Sequence, residues 1–281
     1  MPLLQIYDGG ERRGGGRGRL LIALVVAGFS LVSYFSMRVY NPVTHETQHI
    51  GVTAEQEIAL GLQAAPQMAA EYGGVDPDRQ DQARVDAIGQ KLLAQSDAKD
   101  TPYRFEFHAL ADGQTINAFA LPGGQVFITA GLLHLLETEG QLAGVLGHEM
   151  GHVVARHGAQ QMAKERLTQG LTGAAILATY DPNNPASQRN AAVAALVGRL
   201  VNMRFGRQDE LQADQLGVRL VSQAGYDPRA MIQVMQILEK AAPGRQVEFF
   251  STHPNPEHRI DRIQAAIAQA FPSGVPGGLK Q

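Results

Sequence analysis

The pentapeptide His148-Glu149-Met150-Gly151-His152 limits this chain more than any other feature. Two histidines four residues apart fall on one face of an α-helix, one turn from each other, so both imidazoles can reach one ion. The flanking residues, Leu142-Ala143-Gly144-Val145-Leu146-Gly147 before and Val153-Val154-Ala155 after, are apolar. Such a helix is buried, and buried His and Glu are costly unless paired or bound to metal. A fold must therefore place this helix in its core and still keep a polar site on it. A Glu next to the first His, beside the ion and not ligating it, is the arrangement zinc hydrolases need.

Any metal here must be held by His, Asp or Glu, because the 281 residues contain no Cys. That also excludes thiol catalysis and a disulfide scaffold. The net charge is −3, and Lys/Arg enrichment is confined to the N-terminus, so no nucleic-acid partner is expected. The oligomeric state is not legible.

Arg12, Arg13, Arg17 and Arg19 form a basic, Gly-rich run over residues 1–19, and the apolar, uncharged stretch 20–37 follows. Eighteen helical residues span about 27 Å, close to the bilayer's hydrocarbon core. A cleaved signal peptide is the competing reading. The lack of an A-x-A site and the length of the run favour an uncleaved signal anchor. The arginines then keep the N-terminus in the cytoplasm and put the rest of this single-pass protein in the periplasm or another extracytoplasmic space.

Polar residues 38–52 read as a linker. Thr53 with Gln56 resembles a capping box opening a helix to about Tyr72, and a second helix starts near Pro77 with Val85, Ile88, Leu92 and Leu93 on one face. Strands are expected at 103–110, 117–121 and 125–129, then a short helix at 132–136. Apolar helices at 167–178 and 191–205, separated by Asp181-Pro182-Asn183-Asn184-Pro185, read as a soluble helical hairpin. Further helices are expected from Gln208 to Gly225, from Pro228 to Ala241 and from Glu257 to Ala270, with a loop over 243–256. The Gly/Pro-rich tail 272–281 reads as disordered. The fold class is α+β and predominantly helical: one domain over 53–271 with a small sheet beside the active-site helix, preceded by one transmembrane helix.

A zinc hydrolase usually needs a third protein ligand. Glu210 is the best candidate, with Asp214 one turn later on the same face to accept a hydrogen bond from a ligand His. Together, HEMGH, the Glu-x-x-Ala-Asp segment Glu210–Asp214, Ser251-Thr252-His253-Pro254 with Arg259-Ile260, and Asn117-Ala118-Phe119-Ala120-Leu121-Pro122-Gly123-Gly124 with Gly131-Leu132-Leu133 resemble the HtpX-like and CAAX prenyl protease family of zinc metallopeptidases. The resemblance covers roughly residues 53–270. It is to the soluble-domain branch with periplasmic quality-control proteases, and not to the multi-span branch.

That resemblance implies a zincin-like gluzincin fold and one Zn²⁺ per subunit held by His148, His152 and Glu210. Glu149 is implied as general base for the zinc-bound water and Asp214 as the support of a ligand His. It gives His253 one of two roles, oxyanion stabiliser or a fourth ligand that plugs the cleft. Asn117, Ala118 and Phe119 lie where an extended polypeptide substrate would add to an edge strand through its backbone. Arg156 and His157 are expected to make a buried salt bridge or core hydrogen bond. The implied activity is a membrane-anchored zinc endopeptidase acting on misfolded or envelope proteins. The alternatives are a chaperone-like or adaptor protein with a structural or plugged metal site, and a zinc hydrolase of another class.

Overall fold

The computed structural model describes residues 15–179, 206–241, 247–253 and 258–281. Contacts divide the chain into two compact units, Met1–Met37 with Ala163–Met203 and Arg38–Met162 with Arg204–Gln281.

In the first unit, α1 (Gly15–Ser36) contains a stretch, Arg17–Ser36, long and apolar enough to cross a membrane. Its large side chains, Val25, Phe29 and Val32 among them, are exposed. Within this unit α1 meets α6 (His157–Thr179) at a close crossing, where a side chain on Gly170 would strike Ser30. The expected helix at 167–178 is thus the end of a longer one, and 191–205 lies outside the described residues.

The second unit carries the site. Strands β1 (Arg38–Asn41) and β2 (Glu46–His49) form an antiparallel hairpin where a linker was expected. Two polar residues explain the difference. Asn41 and Gln48 are buried and donate to the carbonyls of Val154 and Ala155 (both 2.8 Å). These belong to the last turn of the active-site helix, whose C-terminal carbonyls have no partner within the helix.

Helix α2 (Ala54–Glu71) opens on the Thr53/Gln56 capping box, and α3 (Arg79–Gln95), capped by Asp78, buries Val85, Ile88 and Leu92. The three-stranded sheet is ordered β3 (Glu106–Leu110), β5 (Gln125–Thr129), β4 (Ala118–Leu121). β5 is fully buried, parallel to β3 and antiparallel to β4, which leaves β4 at an edge. After the single turn α4 (Ala130–Leu133), α5 (Glu139–Val154) runs through the core, buried from Gly140 onward. Its most extensive partner is α7 (Arg207–Gln223), and two glycines permit the approach. A Cβ on Gly151 would lie 2.8 Å from Ala213 O, and one on Gly147 2.7 Å from Val221 Cγ2.

Helices α8 (Ala230–Ala241), α9 (Phe249–Thr252) and α10 (Arg259–Ala270) complete the unit. α9 is a single turn inside the expected loop. The tail also departs from expectation. Lys280 bridges Gly225 and Asp227 through backbone hydrogen bonds (3.0 and 2.9 Å), and Gln281 donates to Asp227 Oδ2 at 2.7 Å. Low apolar content weakens a tail's own packing, but a backbone ladder needs no apolar side chain.

Candidate metal centre

His148 and His152 lie one turn apart on α5, both about 3% exposed, with their Nε2 atoms 3.1 Å from each other. Glu210 enters from the first turn of α7, where the helix N-terminus favours a carboxylate. Asp209 secures that terminus by accepting from the backbone N–H of Gly206. Glu210 Oε2 is 3.4 Å from His148 Nε2, and Oε1 is 3.4 Å from His152 Nε2. His253 follows α9, with Nδ1 3.1 Å from Glu210 Oε1 and its ring stacked on Phe249. One ligand atom from each of His148, His152, Glu210 and His253 lies within 4.8 Å of every other, and all four residues are buried.

Glu149, next to His148, is fully buried, and neither carboxylate oxygen has a hydrogen-bond partner among the described residues. Its Oε1 is 3.6 Å from His253 Nε2. A buried carboxylate left in this state is costly and marks a functional position. Burial pushes its carboxyl above the ordinary range, despite the histidines nearby.

Asp214 accepts from His148 Nδ1 at 3.0 Å, so the lone pair of His148 is on Nε2, toward the cluster. Burial pushes the His148 imidazole down, but hydrogen bonds with Asp214 and Glu210 carry it up to about 9. Burial holds His152 and His157 below their ordinary values. Burial raises the Glu210 carboxyl, but its contacts with His148, His152 and His253 hold it well below the ordinary range. Asp214 likewise resists burial and is lowered, mainly by Arg259. An ionised carboxylate and two imidazole nitrogens with convergent lone pairs are the donor set of a borderline-soft divalent cation, which takes the place of the proton at His148. The residues fit a metal ion.

Three neighbours of the site could not be read from local spacing. Arg259 on α10 is 3% exposed and forks onto Asp214, with Nε and Nη2 each 2.8 Å from a carboxylate oxygen. It lies 45 residues from its partner, and only the Arg259-Ile260 match pointed to it. His157 Nδ1 is 3.0 Å from His152 Nδ1, and its Nε2 is 2.9 Å from Gln212 Oε1. Arg156 ends α5 in the left-handed conformation (φ 57°) and donates through Nε to Glu57 at 2.9 Å. Burial raises the Glu57 carboxyl against this pull, and Tyr103 Oη donates to the same oxygen.

Asn117, Ala118 and Phe119 have buried side chains, and β4 packs against α5. Phe119 stacks on Phe127, and Asn117 donates to Tyr72 Oη at 3.2 Å. The strand end is partly covered by the segment leading to His253. Val247 bridges Ile116, the Phe249 N–H donates to Ile116 O at 3.2 Å, and Tyr72 Oη donates to Glu248 at 3.0 Å.

The chain was compared with known proteins. Residues 79–267 match the model of peptidase family M48. The mitochondrial metalloendopeptidase OMA1 of Schizosaccharomyces pombe is 30% identical over 243 residues, which are 85% of this chain and 69% of that protein. The beta-barrel assembly-enhancing protease of Escherichia coli K12 is 33% identical over 203 residues, 68% of this chain and 40% of the relative, so the chain spans well under half of that protein. The OMA1 of Saccharomyces cerevisiae is 27% identical over 271 residues, 90% and 75% of the two chains. Family match, relatives and the buried His-His-Glu-His cluster agree on a metalloprotease, and the chain belongs to peptidase family M48.

Proposed function

We propose that this chain is a zinc endopeptidase, anchored by α1, that hydrolyses misfolded or envelope polypeptides outside the cytoplasm. The observation that carries the catalytic reading is Glu149, a buried carboxylate with both oxygens unpartnered beside three convergent ligands. A purely structural metal site has no use for such a group. His148, His152 and Glu210 would hold the ion, and Asp214 orients His148. When bound, zinc supplies a Lewis acid that acidifies a water and polarises a scissile carbonyl. Glu149 takes the water's proton, holds it, and passes it to the departing amine. Its raised proton affinity suits a base that must later act as an acid.

The extended substrate would add along β4 at Asn117, Ala118 and Phe119. With those side chains buried, recognition falls to the backbone, which favours tolerance of sequence. Arg17 and Arg19 at the start of the apolar helix support a cytoplasmic N-terminus. The names of the relatives, a mitochondrial metalloendopeptidase and a beta-barrel assembly-enhancing protease, support a protease of membrane-bounded compartments with envelope proteins among its substrates.

A second reading is favoured by the 1% exposure of His253 within the cluster: a plugged protein acting as a chaperone or adaptor. Cleavage of unfolded casein by the full chain in detergent separates the two. The protease reading expects turnover by wild type and none by Glu149→Gln, with equal metal content. Equal residual activity in both, or none in either even after His253→Ala, sinks it.

A further inference from the structure

The two histidines on α5 are oriented by different means. His148 meets the Asp214 carboxylate directly, whereas a hydrogen-bonded chain leads from His152 through His157 and Gln212 to Glu46 on β2. We infer that His157, Gln212 and Glu46 are positioning residues that fix which ring nitrogen of His152 faces the metal centre. This rests on the zinc reading above; it gives His157 a role at the site and adds Gln212 and Glu46, which no motif marks.

The direction of every bond follows from the far end. A carboxylate only accepts, so the Gln212 group 2.7 Å from Glu46 Oε2 is its Nε2. Gln212 Oε1 therefore points the other way, 2.9 Å from His157 Nε2. A carbonyl oxygen also only accepts, so His157 Nε2 carries the hydrogen. A neutral imidazole has one N–H, which leaves a lone pair on His157 Nδ1. His152 Nδ1, 3.0 Å away, must donate to it. The single proton of His152 then sits on Nδ1, and the lone pair of Nε2 faces His148 and Glu210. Every donor in the chain points away from the metal, so each bond polarises the next toward a more basic Nε2.

The placement accounts for this spacing. Gln212 lies on α7 between Glu210 and Asp214, so one helix supplies a ligand, the support of His148 and a link in the support of His152. His157 begins α6 immediately after the left-handed Arg156, and that reversal of the backbone turns its ring back toward His152. Glu46 lies in the hairpin that also holds the end of α5 through Asn41 and Gln48. Glu46 is exposed, so it can supply charge to the chain without the cost of a buried carboxylate.

The test measures zinc affinity by chelator competition, and the visible absorption of the cobalt-substituted protein, for the full chain in detergent. Gln212→Leu and His157→Phe are expected to weaken zinc binding about 10–100-fold and to shift the cobalt bands. Gln212→Glu combined with Glu46→Gln, which keeps an acceptor facing His157 and restores a hydrogen bond to β2 in the reverse direction, is expected to retain wild-type affinity and spectrum. A merely structural role would not distinguish Leu from Glu in this way. Gln212 is half-buried, so this pair decides the matter even if His157→Phe fails to fold. The inference is overturned if folded Gln212→Leu binds zinc as wild type does, or if the Gln212→Glu, Glu46→Gln pair is as weak as Gln212→Leu. Failure of wild type itself to bind zinc would instead overturn the zinc reading, and this inference with it.

Discussion

Arg259 grips Asp214 with two nitrogens while Asp214 accepts a hydrogen bond from His148 Nδ1, so one carboxylate serves a buried cation and an imidazole of the cluster together. Asp214→Asn keeps the shape and removes the charge. It should weaken metal binding about 10–100-fold. It should also cost on the order of 3 kcal/mol of folding stability, because the guanidinium loses its bidentate partner in the core and keeps only the 3.3 Å contact with Glu210. Chelator competition and urea unfolding measure the two effects separately, and a change in neither contradicts the geometry.

His253 lies 3.6 Å from Glu149 and within ligand distance of the cluster, the place that the proposed mechanism gives to the attacking water. It is held there by the Val247–Ile116 bridge and by the hydrogen bond of Tyr72 with Glu248. Burial and the Glu248 carboxylate push the Tyr72 hydroxyl up to about 12, so it remains a donor at neutral pH. His253→Ala is expected to raise peptide turnover, and Tyr72→Phe to raise it less, by loosening the segment. A fall with His253→Ala would assign the residue to oxyanion stabilisation. An unchanged rate would count against both roles.

The approach of α5 to α7 leaves no room at Gly151, where an added methyl would meet Ala213 O at 2.8 Å. Gly151→Ala should destabilise the fold by about 1–3 kcal/mol through overpacking, even though Ala is the better helix former. The same displacement carries Glu210 away from His152, so metal affinity should fall alongside the unfolding midpoint. Stability equal to wild type would show that the helices can part without cost.

Asp227 sets an acid limit on the fold. Hydrogen bonds from Arg229 hold its carboxyl below the usual value against the effect of burial, and Gln281 donates to it as well. A carboxyl lowered in the folded state stabilises it above the unfolded pKa of about 3.9, and that contribution is lost as pH falls through the lower folded value. The stability gap between wild type and Asp227→Asn should therefore be full at neutral pH and close in acid below about pH 4. Thermal unfolding across that range measures it. A gap independent of pH would mean that the pair contributes nothing through charge.

The centre was legible where chemistry and spacing coincide. His148 and His152 declare themselves by helical periodicity, and Glu210 with Asp214 by an i,i+4 acidic pair that acquires meaning only once a metal site is suspected. The apolar run around HEMGH correctly required a buried helix. Residues whose partners are remote in the chain gave less away. Glu46 meets Gln212 across 166 positions, and no periodicity reports that. The β1–β2 hairpin escaped for a related reason: its buried residues, Asn41 and Gln48, are polar, so the strands lack the apolar alternation that reveals a sheet. The tail was misjudged because composition measures side chains, and its attachment runs largely through backbone.

That hairpin bears on how a soluble fragment should be cut. Trimming away everything before Thr53 is the obvious way to free the second unit from the apolar helix α1. Such a cut would also discard Asn41, Glu46 and Gln48, leaving the end of the HEMGH helix to fray one turn beyond His152. A shortened protein that starts at Arg38 keeps those contacts. Residues 38–49 therefore belong with the unit that holds the metal centre and not with the apolar helix before it.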